Sequence, residues 1–307
     1  MSNGTWLPLP VIALSTAFGL ENVLSFLLNS FLVFSLLRYK ELRRRKELLI
    51  LVALAFGDAL LGLGYCSAAF TRLFLLYKGM DRQPASIVEC ALRPYNVLLV
   101  FSNAFSSLML VIVSCDRLYA VAFPVSYLIA TRTYAFKTVG TCLLVSLFMS
   151  TGAFYGLSSP AQGPLTQLCN PSRLQYPLIG SWVFAFSQLQ LICSLVSVLI
   201  YIIIPPIYMY KKNKVNPQQN SSQSALTAKQ RRLVKTMGWS TVCTLVFVLV
   251  PMIMRARVAR LPVGHMLLMM INMIRVLNSV ANFFLYFARH KEIRKAMLRS
   301  VMCRSYN

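Results

Sequence analysis

One acidic residue stands alone inside a long apolar stretch of the sequence. Asp58 lies in LLILVALAFGDALLGLGY, which contains no other charged residue. A charge at the centre of a bilayer costs about 2.5–3.5 kcal/mol on insertion scales, so such residues usually face a protein interior and take part in function. The Asp58 carboxylate could take part in function inside the bundle, or it could hydrogen-bond to neighbouring helices and only stabilise their packing. The residue type alone leaves both interpretations open.

Polar side chains recur at steps of three and four residues in two other apolar stretches. This spacing places them on one face of a helix. The later stripe consists of Asn272, Arg275, Asn278, Ser279, Asn282 and Tyr286. The earlier stripe consists of Asn96, Asn103, Ser106, Ser114 and Arg117, and a single Asn29 belongs to the first stretch. Together with Asp58, the stripes predict a polar chamber inside a helix bundle.

The composition indicates which elements must hold this chamber. The chain has 307 residues, 57% apolar and 13% charged, whereas soluble domains carry about 25% charged residues. The net charge of +23 sits mostly in short clusters between apolar stretches, which excludes a nucleic-acid-binding domain. Seven stretches are long enough to cross a bilayer as helices, namely 11–37, 47–74, 88–119, 136–157, 179–210, 232–256 and 264–288. We therefore predict an all-α membrane protein, a seven-transmembrane helix bundle.

The Lys and Arg residues between these stretches predict the orientation of the chain. They concentrate in three loops and in the tail, at 38–47, 116–137, 211–235 and 289–307. Loops rich in Lys and Arg stay cytoplasmic, so residues 1–10 are expected to be extracellular and 11–288 to form the bundle. Residues 289–307 read as an amphipathic basic helix on the inner leaflet. We expect a multi-pass protein of the plasma membrane.

Two residues near the chain ends are candidates for covalent modification. Asn3, in Asn-Gly-Thr, is a glycosylation acceptor on the predicted outer side. Cys303, in the basic tail, is a candidate for palmitoylation or else a free cytosolic thiol. Asn220 also begins a glycosylation sequence, but it lies in an inner loop, where no glycosylation is expected.

Three motifs follow one another in register on the predicted helices. Residues 54–58 read LAFGD, 115–124 read CDRLYAVAFP and 277–286 read LNSVANFFLY. Together with Asn29, they resemble the L-A-L-A-D, D-R-Y and L-N-S-x-x-N-P-x-x-Y signatures of rhodopsin-like G-protein-coupled receptors. The resemblance covers nearly the whole chain.

The chain also departs from those signatures. Leu118 replaces the Tyr of the D-R-Y signature, Phe283 replaces the Pro of the seventh-helix signature, and Leu249 stands where the sixth helix often has Trp. This divergent pattern resembles the large chemosensory receptor families of nematodes.

The resemblance implies a receptor that passes an extracellular signal to a heterotrimeric G protein. Its coupling switch would consist of Asp116, Arg117, Tyr201 and Tyr286, with Asp116 restraining Arg117 in the resting state. A sodium ion would be held by a polar core of Asn29, Asp58, Ser106, Asn278, Ser279 and Asn282. A disulfide would join Cys90, at the outer start of the third helix, to Cys169 in the second outer loop. No other cofactor is expected.

The ligand is predicted from a charge on the inward stripe of the seventh helix. Arg275 lies two turns outward of Asn282, where the resemblance places the ligand cavity, and a buried Arg favours a planar anion. The position expected to hold an Asp in amine receptors is near Leu99, which disfavours an amine. We predict a small acidic ligand or the acidic group of a peptide, and the alternative is that Arg275 pairs internally with Glu21. The candidate ligand pocket consists of Arg275, Arg72, Arg93, Asn96, Leu99 and Asn103.

Other classes of protein fit the sequence less well. No Gly-rich phosphate loop, nucleophile elbow or metal-ligand spacing occurs, so we do not expect an enzyme. A multi-span transporter or channel is the alternative function, but it predicts an inverted repeat with broken helices, which we do not find. A retinal photoreceptor needs a Lys in the seventh helix, and 264–288 contains none.

Overall fold

The fold is a bundle of long helices joined by short segments. A computed structural model describes residues 9–80, 83–155, 165–166, 182–214, 242–258 and 264–302. The long helices are α1 (Leu9–Arg38), α3 (Lys46–Tyr77), α5 (Pro94–Ala122), α7 (Arg132–Tyr155), α8 (Trp182–Lys214) and α10 (Gly264–Arg289). The shorter elements are α2 (Lys40–Arg43), α4 (Ile87–Ala91), α6 (Pro124–Ile129), α9 (Val250–Val258), α11 (Lys291–Val301) and the strands β1 (Pro84–Ala85) and β2 (Leu165–Thr166).

The long helices are suited to a membrane by length and composition. Six helices of the described ranges are long and apolar enough to cross a bilayer, and a shorter apolar helix covers Val242–Met254. Large apolar side chains such as Leu20, Leu144 and Phe148 are exposed on the outside of the bundle, as expected where lipid is the solvent. The chain is a multi-pass membrane protein, and the predicted seven-helix bundle is confirmed.

The sixth membrane helix, which covers residues 242–258, contains a local irregularity. A π-helical turn, Leu245–Leu249, directly precedes α9, whose second residue is Pro251. Proline has no N–H to donate, and its ring clashes with the carbonyl four residues before it. A wider turn over those residues accommodates the ring, and such π-bulges often occur beside functional sites.

The third predicted stretch, 88–119, is divided in the structure. Helix α4 ends at Ala91, and α5 begins at Pro94 after Arg93 in an extended conformation. The residue before a proline disfavours helical angles, whereas proline itself is well suited to the first turn of a helix. The membrane-crossing part is therefore Pro94–Ala122.

A short ladder joins two outer segments of the chain. Strands β1 and β2 pair antiparallel, with Pro84 opposite Thr166 and Ala85 opposite Leu165. Cys90 follows β1 closely in sequence, is fully buried and is not among the free cysteines. Its predicted partner Cys169 lies outside the described residues, so the disulfide pairing stays a prediction.

The opposite end of the bundle carries Arg38, α2, α6 and α11, and we call it the basic end. Helix α11 buries Ile293, Ala296 and Met297 in a cluster with residues of α1, α2 and α3. These three positions recur at steps of three and four, so they form one face of the helix. The amphipathic tail helix therefore packs its apolar face against the bundle itself.

Candidate functional site

A cavity of about 70 Å³, lined by polar and apolar side chains, lies between α1, α3, α5, α8, α10 and the sixth membrane helix. We call it the central cavity. Its polar lining comes from both predicted stripes and from residues of α1 and α8. The side chains concerned are Asn22, Ser25, Asp58, Ser106, Ser107, Gln190, Ser194, Asn272, Arg275, Asn278, Ser279 and Asn282. One chamber thus contains both an acidic and a basic side chain.

Asp58 is reached from α5 because the two helices approach closely beside it. The hydroxyl of Ser106 donates to Asp58 Oδ1 at 3.2 Å. A Cβ added to the neighbouring Gly57 would lie 2.7 Å from Ser106 Oγ and 2.9 Å from Phe105. A larger residue at position 57 would push α5 away, so Gly57 permits the contact between Ser106 and Asp58.

Amide oxygens of α10 face the same cavity without partners. The Oδ1 atoms of Asn278 and Asn282 are buried and accept no hydrogen bond from any described residue. Buried polar atoms are normally satisfied, and an exception indicates a missing water or ion. Hard cations take carboxylate, amide and hydroxyl oxygens, and Asp58, Ser106, Asn278 and Asn282 supply all three kinds. The donor set therefore fits a cation such as sodium.

Ser279 belongs to this set as well, because its side chain hydrogen-bonds to Asp58, and Asn29 takes a supporting position beside it. Asn29 Nδ2 donates to Ser279 Oγ at 2.8 Å, and Ser25 Oγ donates to the same atom at 3.0 Å. Ser279 lines the cavity and Asn29 does not. These bonds tie α1 to α10, so Asn29 holds Ser279 in place.

Arg275 enters the outer part of the central cavity. Its Nη2 donates to Gln190 Oε1 of α8 at 2.7 Å, and its Nε is buried without a partner among the described residues. The ion pairs within those residues are Arg45–Glu292 and Arg93–Glu89. The alternative pairing of Arg275 with Glu21 is therefore absent, and both Glu21 oxygens are buried without a hydrogen bond to any described residue.

The other residues of the predicted ligand pocket do not line the central cavity. Asn96 donates to the carbonyl of Cys90 at 2.6 Å, and Asn103 donates to the carbonyl of Leu99 at 2.7 Å. Leu99 packs against α3, where Gly64 leaves room for it. Arg93 lies 3.7 Å from Glu89. The remaining member, Arg72, is also outside the cavity lining.

The predicted coupling residues meet near the basic end. Tyr127, Tyr201 and Tyr286 are all close enough to Arg117 to interact with its charge. Arg117 and the buried Asp116 are adjacent in sequence, but they are not among the ion pairs. Instead, Asp116 Oδ2 accepts a hydrogen bond from the Tyr127 hydroxyl at 3.1 Å. Asp116 still interacts with the charge of Arg117 more strongly than the three tyrosines do, so the bond to α6 is an additional contact and the restraint of Arg117 by Asp116 stays a prediction.

Lys46 fixes α6 in the position that this bond requires. Its buried ammonium group donates to the carbonyl of Tyr127 and, at 2.8 Å, to that of Ala130. It also lies 4.0 Å from the centre of the Tyr127 ring, a cation–π contact. Burial and the nearby Asp116 carboxylate raise the pKa of Tyr127, so its hydroxyl keeps the proton that it donates.

Sequence reasoning did not single out Lys46 or Tyr127. Lys46 was one charge in a basic loop that predicted only orientation, and Tyr127 was one residue of a short loop. The position of Lys46 in the sequence could have indicated its role, because it directly precedes an apolar stretch and therefore lies at the membrane edge. The candidates Asn3, Cys169 and Cys303 lie outside the described residues.

The comparisons with known proteins give one family. Residues 22–301 match the model of the family described as serpentine type 7TM GPCR chemoreceptor Srsx. The match begins within α1 and extends through the rest of the bundle to the end of α11. A search of curated proteins finds no match to the chain.

Proposed function

The chain belongs to the Srsx family of serpentine seven-transmembrane chemoreceptors, and we propose that it couples a small acidic ligand to a heterotrimeric G protein. The ligand would enter from the outer side and bind in the central cavity. The G protein would bind at the basic end, which the distribution of Lys and Arg assigns to the cytoplasm.

The observation that carries the proposal is the environment of the Arg275 guanidinium. Its guanidinium faces a cavity, has one neutral partner in Gln190 and is not neutralised by a carboxylate of the described residues. An Arg in a partly dry site binds a planar anion through two parallel hydrogen bonds. The Nε left without a partner provides one of these donors. A carboxylate therefore complements the site better than a neutral or cationic group does.

The central cavity also supports communication between the two ends. It extends along α10 from Arg275 past Asn278 to Asn282, and Tyr286 lies one turn further on, near Arg117. A ligand shifts a conformational equilibrium only as far as it prefers one state. An anion that reorients Arg275 changes the packing of α10 against α8, and Tyr286 belongs to that same helix.

Sodium would also act on α10. Asp58, Ser106, Asn278 and Asn282 would hold the ion, which supplies a positive charge beside the buried carboxylate. Bound there, it would favour the resting arrangement of α3, α5 and α10, because its ligands come from all three helices. Binding of an agonist and of sodium would then oppose each other.

The basic end offers a surface for the G protein. Helix α6 and the preceding residue expose Phe123, Val125, Leu128 and Ile129. Adjoining exposed apolar side chains of this kind often mark a site of protein interaction. Next to them, Arg117, Tyr201 and Tyr286 would form the polar part of the contact once the helices separate.

The proposal is tested by nucleotide exchange on purified G proteins with membranes that contain the full chain. The compounds are small carboxylic acids, each paired with its neutral amide. We expect at least one acid, and not its amide, to stimulate exchange. Arg117→Ala should abolish that stimulation while surface expression is kept. Stimulation only by amides or amines, or full stimulation in Arg117→Ala, would contradict the proposal.

A further inference from the structure

A groove on the outside of the bundle suggests a second binding site. It has a volume of about 640 Å³ and lies between α1 and α3, on the basic-end side of their closest approach. That approach is set by Gly62, where an added Cβ would lie 2.9 Å from the Phe26 backbone nitrogen. Between this point and the basic end, the outward sides of α1 and α3 leave a channel.

The shape of the groove follows from the sizes of its side chains. Ser30 and Ala59 form part of its lining and are small, whereas Phe34 and Phe56 rise beside them and are 55% and 45% exposed. The α1 lining residues recur from Phe26 to Arg38 at helical spacing, a length of about 18 Å at 1.5 Å per residue. This length is close to one leaflet of a bilayer, whose hydrocarbon core is about 30 Å thick.

The groove ends at a positive charge. Arg38 is the last residue of α1 and lines the groove, and its guanidinium lies 5.8 Å from the centre of the Phe34 ring. This cation–π contact holds the charge at the rim. The groove thus runs from an apolar floor to a basic mouth formed by Arg38. Lys40 and Arg43 of α2 and the following Arg44 are exposed but do not line the groove.

We propose that this groove binds one anionic phospholipid of the leaflet at the basic end, with an acyl chain along Ser30 and Ala59 and its phosphate at Arg38. Apolar walls alone would accept any lipid chain. The basic mouth selects the anionic headgroup, because Arg forms paired hydrogen bonds with phosphate oxygens. The site is separate from the central cavity, and the two share no lining residue.

The test is native mass spectrometry of the purified full chain, titrated with phosphatidylserine or with phosphatidylcholine carrying the same acyl chains. We expect one phosphatidylserine to be retained more tightly than the phosphatidylcholine. Arg38→Gln should weaken its binding about fivefold, the factor expected for one basic residue near an anionic membrane surface. The matched variant Arg44→Gln removes the same charge outside the groove and should change binding less than twofold.

A second pair of variants tests the groove itself. Ser30→Phe should fill the channel and abolish the tightly bound lipid, whereas Leu20→Phe, on an exposed site of α1 away from the groove, should leave it bound. Equal losses for Arg38→Gln and Arg44→Gln would show diffuse attraction and overturn the proposal. Retention of the lipid in Ser30→Phe, or no preference for phosphatidylserine, would overturn it as well.

Discussion

The central cavity and the basic end differ in how far their buried polar groups are satisfied by hydrogen bonds. In the cavity, Asn272, Asn278, Asn282 and Arg275 each have a buried polar atom with no hydrogen-bond partner among the described residues. At the basic end, Lys46 donates to two carbonyls and Asp116 Oδ2 accepts from Tyr127, while Asp116 Oδ1 is the oxygen left without a described partner. A region with unsatisfied donors and acceptors is prepared for a ligand, whereas a satisfied one stabilises the protein itself.

The largest expected effect on stability comes from the basic end. Lys46→Met removes two charge-assisted hydrogen bonds to α6, and each such bond contributes about 1.5–3 kcal/mol. We expect the free energy of unfolding to fall by about 3 kcal/mol, measured as thermal unfolding of the detergent-solubilised chain. Lys40→Met, at an exposed position, serves as the control and should change it by less than about 0.5 kcal/mol. Equal stability of the two variants would contradict the role given to Lys46.

The next effect concerns sodium in the central cavity. Couplings between two ligands are typically about 1–3 kcal/mol, so sodium should weaken agonist binding about tenfold in the wild type. Asp58→Asn removes the carboxylate and should abolish this dependence. Agonist affinity is measured in sodium chloride and in choline chloride at equal ionic strength. A sodium effect of unchanged size in the variant would exclude Asp58 as a ligand of the ion.

A smaller effect is expected where α6 meets Asp116. Tyr127→Phe removes only the hydroxyl that donates to this carboxylate, and loss of one such bond costs about 1–2 kcal/mol. Because the bond holds Asp116 and α6 together, we expect nucleotide exchange without agonist to rise severalfold. Tyr134→Phe serves as the control, because it removes a hydroxyl from another Tyr that is close enough to interact with the charge of Asp116, whereas the hydrogen bond to that carboxylate within the described residues comes from Tyr127. Unchanged basal exchange in Tyr127→Phe would show that the bond is only structural.

The smallest effect is predicted inside the cavity. Asn278→Ala removes an amide whose oxygen has no partner among the described residues, and deleting an unsatisfied group is nearly neutral. We expect the free energy of unfolding, measured without sodium, to change by less than about 0.5 kcal/mol. A loss as large as that of Lys46→Met would break the contrast between the two regions.

The sequence predicted the cavity better than it predicted the basic end. Steps of three and four residues fix a helix face, so Asn278, Asn282 and Ser106 could be assigned to one chamber with Asp58. The same pattern misled for Asn103, because a short polar side chain can bond to the carbonyl four residues before it. It does so with Leu99.

Contacts that depend on a loop could not be predicted in this way. Lys46 meets Tyr127 and Ala130 only because the chain after Phe123 turns back and forms α6. The pairing joins residues more than eighty positions apart, and no periodic pattern encodes it. By contrast, the break in the third stretch before Pro94 could be predicted from the sequence, because the residue before a proline disfavours helical angles.

The central claim is that Arg275 is an unneutralised anchor for an anion, and agonist affinity in Arg275→Ala tests it most directly. Loss of a paired, charge-assisted contact of about 3 kcal/mol corresponds to about a hundredfold. We predict that loss for an acidic agonist, with less than a threefold change for its neutral amide. Equal losses for the acid and the amide, or recovery of the acid response in the double variant with Glu21→Gln, would contradict the claim.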